Sequence, residues 1–206
     1  MSENNQVKSR QRVADHGEVF TNPREVNAML DLVKDESERI DSRFLEPACG
    51  DGNFLIEILR RKMTTVAARY AHGTAEFQKY TLQAVSSIYG IELLADNAEQ
   101  CRQRLFDAVV SMVDADDEFR INVRYLLQCN IVQGDALTYT AADGKPIVFS
   151  EWAFIGEKVH RRDFQFDYLV TKGHQYSLFD EQGEAKGFDE PIRDFPLVHY
   201  TKIHTL

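Results

Sequence analysis

The stretch Phe44-Leu45-Glu46-Pro47-Ala48-Cys49-Gly50-Asp51-Gly52-Asn53-Phe54-Leu55 decides how this chain folds. A short apolar run ends in an acid. A proline and two glycines then bracket Asp51. Phe54, Leu55, Ile58 and Leu59 follow at helical spacing. Together these predict a strand, a tight turn and a helix. Glycine permits a positive φ and lets backbone approach a ligand closely, and the start of the helix leaves N–H groups without intrahelical partners.

Downstream, the helix is expected to reach Tyr70 and to break at His72-Gly73-Thr74. A second helix, about 75–87, carries Phe77, Tyr80, Leu82 and Val85, with Thr74 as its cap. Ser87 to Glu92 reads as a buried strand ending in an acid. Asp96 is the expected cap of the next helix, whose apolar face is Ala98, Cys101, Leu105, Ala108 and Met112. Asp114 to Asp117 breaks it. Asn130 to Gln133 is a third strand, ending in Gly134-Asp135. Lys145 to Phe149 is a hairpin or edge strand, Phe166 to Val170 a fourth core strand, and Phe195 to Ile203 a last strand.

Upstream, Asn22 is an N-cap, Pro23 suits the first helical position, and Glu25 completes a capping-box spacing. Val26, Met29, Leu30 and Val33 then define a helix over about 23–34. Lys34 to Asp41 is expected to end it and loop over the surface. Residues 1–15 read as a flexible arm, leaving 16–206 as one domain with an atypical part over 138–206. Strands alternating with helices indicate an α/β fold with a mostly parallel sheet. In such sheets ligands bind at the C-terminal strand ends.

Composition narrows the function classes. The 206 residues are 43% hydrophobic and 28% charged, enough to bury a core. No apolar run approaches a membrane span, and the N-terminus lacks a secretory core, so a cytoplasmic protein is expected. Three cysteines, with no CxxC pair, argue against a disulfide framework or a zinc module. The histidines at 16, 72, 160, 174, 199 and 204 show no metal-ligand spacing. A net charge of −9 speaks against a general DNA-coating protein and leaves room for a local basic patch. Lys158 to Arg162 is one such cluster, read either as a phosphate contact or as a solvated balance to the acids. Trp152 and Phe154 beside it read as core residues or stacking platforms.

Three strand ends present acids: Glu46, Glu92 and Asp135. An acid after a second strand can accept hydrogen bonds from ribose hydroxyls. The turn Gly50-Asp51-Gly52-Asn53 is not GxGxxG, however, and Glu92 lies much further on than in dinucleotide sites. The pattern points away from a pyrophosphate and toward a nucleoside carrying positive charge.

With these residues in hand, the chain resembles the S-adenosylmethionine-dependent adenine-N6 DNA methyltransferases of bacterial restriction–modification systems. Four segments carry the resemblance: His16 to Pro23, Phe44 to Leu55, Tyr89-Gly90-Ile91-Glu92-Leu93, and Asn130 to Leu137. They span residues 16–137 in the family's order. The resemblance implies a Rossmann-like methyltransferase fold, truncated after the fourth strand, that binds S-adenosylmethionine. It places Phe20 and Thr21 near the methionine end and Glu46 on its amine side. Pro47, Ala48, Cys49, Gly50, Gly52, Asn53 and Phe54 would form the loop. Glu92 and Leu93 would meet the ribose, and Asp135 and Ala136 the adenine ring. It implies DNA as substrate, reached directly or through a partner such as a second methyltransferase, specificity or nuclease subunit, and no membrane.

The departure is the family's Asn-Pro-Pro-Tyr signature, which occurs nowhere in the sequence. After the expected fourth strand stands Thr171-Lys172-Gly173-His174-Gln175-Tyr176 instead. Tyr176 offers a ring for base stacking, without the proline carbonyl geometry that would hold the target amine. The catalytic residues are therefore left unassigned. The alternative reading is a non-catalytic cofactor-binding or assembly subunit of a split enzyme. Cys49 is read as a small buried loop residue rather than a nucleophile.

Overall fold

The structure, a computed structural model, describes residues 21–167 and 191–206. The expected arm, the His16 to Phe20 segment, Tyr168 to Val170, His174 and Tyr176 lie outside the described residues.

Asn22 caps helix α1 (Pro23–Asp31), its side-chain oxygen accepting the Arg24 N–H at 2.9 Å. The helix is shorter than its apolar spacing predicts. Val26 and Leu30 are buried, but Met29 and Val33 face outward. The acidic segment forms a short helix α2 (Lys34–Glu38) rather than a loop, with Ser37 buried. Strand β1 (Phe44–Glu46) and the glycine turn then lead into α3 (Asn53–Arg69), as expected. Thr74 caps α4 (Ala75–Ser86) by accepting the Phe77 N–H at 3.2 Å.

Strand β2 (Ile88–Glu92) is buried along its whole length. Helix α5 (Ala95–Val110) follows. Asp96 does not cap it: the helix starts at Ala95, and Glu92 accepts the Leu94 N–H at 3.0 Å in place of a local cap. The acidic break ends in a helix that the sequence reading missed, α6 (Asp117–Asn130). Asp116 caps it, accepting the Phe119 N–H at 2.7 Å. Phe119, Val123, Leu126 and Leu127 form its buried stripe. Strand β3 (Ile131–Asp135) follows directly.

The chain is α/β. Strands β1, β2 and β3 are parallel neighbours in that order, and β4 (Thr140–Ala141) closes the four-stranded sheet antiparallel to β3. Helices α3, α4, α5 and α6 all contact β2, so the main core surrounds that strand.

The second half departs from the parallel expectation. Strands β5 (Val148–Ile155) and β6 (Lys158–Gln165) form an antiparallel hairpin. Phe166 and Asp167, the described part of the expected fourth core strand, are helical rather than extended. The expected last strand shrinks to β8 (Val198–His199), followed by a 3₁₀ segment, Tyr200–Thr205. Strand β7 (Arg193–Asp194) and β8 both pair with β6. Alternating residues of β6 point inward, so the basic cluster divides. Arg161 is buried and forked onto Asp163 at 2.8 and 3.0 Å. Arg162 pairs outward with Glu151, and His160 with Asp194. Trp152 is a core residue, its indole N–H bonded to Asn130 at 3.0 Å. Asn130 also donates to the carbonyls of Ser86 and Ile88, so one side chain ties both sheets together. Among the described residues no helix is long and apolar enough to cross a membrane.

Two buried charges test this packing. Asp163 is fully buried and accepts from Arg161, Arg193 and Ser150. Removing it leaves the Arg161 charge unpaired, so Asp163→Ala should lower the unfolding free energy by about 4 kcal/mol in denaturant titration. Lys62, also fully buried, donates to the carbonyls of Arg39, Ile40 and Ser42 at 2.6–3.1 Å. Burial pushes its ammonium down to about 7. The unfolded chain then holds one more proton than the folded chain above that pH, so this group's contribution to stability falls as pH drops toward 7. The stability difference between wild type and Lys62→Met should therefore move in favour of wild type from pH 7 to 9. A pH-independent difference would show that Lys62 stays charged inside.

Candidate functional site

The register of the parallel strands brings the three acids into one arrangement. Glu46 lies opposite Gly90, and Glu92 opposite Gln133. Side chains alternate along a strand, so Glu46, Glu92 and Asp135 share one side of the sheet. Each stands two residues, roughly 7 Å, further out than its neighbour, giving a diagonal across the C-terminal strand ends.

The glycine turn folds against the first two of these acids, Glu46 and Glu92. The Cys49 N–H returns to the Ile91 carbonyl at 3.0 Å, and the Gly52 N–H bonds the Cys49 carbonyl at 2.9 Å. Gly50 and Gly52 take φ of 55° and 94°, the left-handed conformation expected of the turn. Gly52 also lies against α5. A Cβ there would stand 2.7 Å from the Cys101 sulfur. A Cβ on Gly90 would meet the Cys49 sulfur at 2.8 Å.

Glu92 locks the arrangement. It is buried, with 8% of its surface exposed. Its Oε2 accepts the Gly50 N–H at 2.9 Å, and its Oε1 accepts the Leu94 N–H at 3.0 Å and the Asn97 amide at 3.3 Å. Glu46 accepts the Ala48 N–H at 3.3 Å, and Asp135 the Leu137 N–H at 2.8 Å. Each therefore shapes the loop that follows its own strand. Thr21 joins the site through its carbonyl, which accepts from the Asn53 amide at 3.4 Å. Phe54 packs against the core from the first turn of α3. Leu93 is exposed on the rim, while Ala136 packs against the core. Phe20 lies outside the described residues. Pro47 and Ala48 lie in the turn itself.

Cys49 behaves as a packed loop residue. The Cys101 side chain hydrogen-bonded to it, together with burial and the nearby acids Glu92 and Glu46, pushes its thiol far above the ordinary range. A thiol held protonated is a poor nucleophile.

Sequence reasoning missed the residues of α5 that hold the turn. Arg104 donates to the Asp51 carbonyl at 2.8 Å, pairs with the Asp51 carboxylate at 2.7 Å, and reaches the Asn53 side chain at 3.0 Å. Asn97, Cys101 and Arg104 stand at i, i+4 and i+7, one stripe of the helix. That spacing was legible, but nothing in it said what the stripe would face.

The arrangement offers a glycine-lined turn, the first turn of α3 without a side-chain cap, and three carboxylates on one side of the sheet. None of these three acids forms an ion pair among the described residues. Such a set suits a polar ligand with hydroxyl or amine donors and positive charge. Comparison with protein-family models, curated proteins and solved structures finds no match to this chain.

The close packing of the turn can be measured. Gly52→Ala should cost about 3 kcal/mol, from the positive φ and from the contact with Cys101. In a Cys101→Ala background, which removes the sulfur, the same Gly52→Ala substitution should cost less, leaving the backbone cost of about 1–2 kcal/mol. Full additivity of the two substitutions in denaturant titration would show that they do not meet.

Proposed function

We propose that this chain binds S-adenosylmethionine and belongs to the adenine-N6 DNA methyltransferase type, with a Rossmann-like methyltransferase fold. One observation carries the reading. Glu46, Glu92 and Asp135 lie on one side of three adjacent parallel strands, and a glycine turn with two left-handed residues is bonded to the first two of them. The sequence resemblance assigns the same residues to the cofactor.

The residues present fit the group. The sulfonium and ammonium of S-adenosylmethionine are cationic, and the three carboxylates have no cationic partner among the described residues. In this reading Glu46 faces the amine end, and the Gly50 to Gly52 turn lets backbone approach the ligand closely. Glu92 accepts from the ribose, and Asp135 from the adenine amino group. Leu93, exposed at the rim, covers an apolar part of the ligand. The bound group supplies an electrophilic methyl. The chain's part is to orient it, and holding donor and acceptor in line is the main source of rate in such a transfer.

The subunit reading is favoured by a separate observation. The sequence holds no Asn-Pro-Pro-Tyr, and the antiparallel hairpin β5–β6 follows β4. In that reading a partner chain supplies the groups that hold the target base, and DNA is reached through it.

Calorimetric titration of S-adenosylmethionine into the folded protein should give micromolar binding. Glu92→Ala should weaken it at least tenfold, about 1.4 kcal/mol. Unaltered affinity in that variant would remove Glu92 from the ligand, and no binding to folded wild type would remove the cofactor reading.

A further inference from the structure

The Glu92 carboxylate has about four lone-pair positions for hydrogen bonds, two on each oxygen. The protein itself fills three of them. Oε1 carries both the Leu94 N–H and the Asn97 amide, and Oε2 carries the Gly50 N–H. Two of the three donors are backbone groups, Gly50 in the β1–α3 turn and Leu94 in the β2–α5 turn, so they move only if those turns move. The third, Asn97, is a side chain on α5, buried to 1% exposure, and its bond is the longest of the three at 3.3 Å.

A ribose offers two neighbouring hydroxyls. A carboxylate free on both oxygens takes them together, one hydroxyl per oxygen. Here one oxygen is full. We propose that Glu92 takes one ribose hydroxyl, through Oε2, and that Asn97 holds the position the second hydroxyl needs. Asn97 thereby sets how strongly the site reads the sugar. The chain accepts a nucleoside lacking one hydroxyl almost as well as the full ribose, and loses that tolerance when Asn97 is removed. This inference rests on the S-adenosylmethionine reading and adds to it a limit on what the site distinguishes.

The test uses S-adenosylhomocysteine and its 2′-deoxy and 3′-deoxy forms, titrated calorimetrically into the folded wild-type chain and the Asn97→Ala variant. In wild type, one deoxy form should bind within about twofold of the parent and the other should lose about tenfold or more. In Asn97→Ala the parent should bind tighter, by about threefold, and both deoxy forms should now lose affinity relative to it. Equal tenfold losses for both deoxy forms in wild type would show two hydroxyls already bound and overturn the inference while leaving the cofactor reading intact. Failure of the parent to bind folded wild type would overturn the cofactor reading and this inference with it. The wild-type comparison stands alone if the variant does not fold.

Discussion

Everything around the candidate site depends on the buried carboxylate of Glu92. Its bond to the Gly50 N–H fastens the glycine turn to the end of β2, and its bonds to Leu94 and Asn97 fasten the start of α5 to the same point. A carboxylate in so enclosed a place is costly unless its lone pairs are used, and hydrogen bonds to a charged acceptor are about twice as strong as neutral ones. The same group is thus the fixing point of the local structure and the acid best placed to meet a ligand. These roles compete for lone pairs, which makes the neighbours of Glu92 as relevant as Glu92 itself.

The turn is held from three sides. Below it, Cys49 occupies the space that Gly90 leaves open. Beside it, Cys101 touches Gly52 with no room for a side chain between them. Above the helix start, Arg104 binds Asp51 and Asn53. Protein interiors are close-packed, and a site locked by packing together with hydrogen bonds keeps its geometry. Asn53 carries the restraint onward to Thr21, which brings the residue before the α1 cap to the same loop.

The second sheet uses a different device. The hairpin β5–β6 buries a salt bridge, Arg161 to Asp163, where an apolar pair would serve for stability alone. Arg161 also lies within 6 Å of the Tyr125, Trp152 and Phe195 rings, and Tyr125 belongs to α6. The pair therefore links the hairpin to the helix beneath it. With Trp152 on Asn130 and Tyr89 on the Ser150 carbonyl, it joins the two sheets by directional polar contacts as well as by apolar packing. The cluster from Lys158 to Arg162 is basic in sequence, but its charges are distributed between core and surface partners.

Local chemistry was readable in the residues themselves. The caps at Asn22 and Thr74, the helices begun at Pro23, Asn53 and Ala75, the three strands, and the glycine turn follow from side-chain spacing and from the conformational freedom of glycine, which act within a few residues. The acids at the strand ends were legible for the same reason. What lay beyond reach was contact between segments distant in sequence. The α6 stripe was present in the chain but hidden behind an acidic break that turned out to be its cap. Strand β6 went unread because pairing across 158–165 depends on partners at 148–155 and 193–199, not on local propensity. That Glu92 would be spent on Gly50, Leu94 and Asn97, and that Arg104 would grip Asp51 from 53 residues away, was decided only by tertiary packing. Hydrogen-bond partners are chosen by proximity in space, and a single sequence carries no record of that proximity.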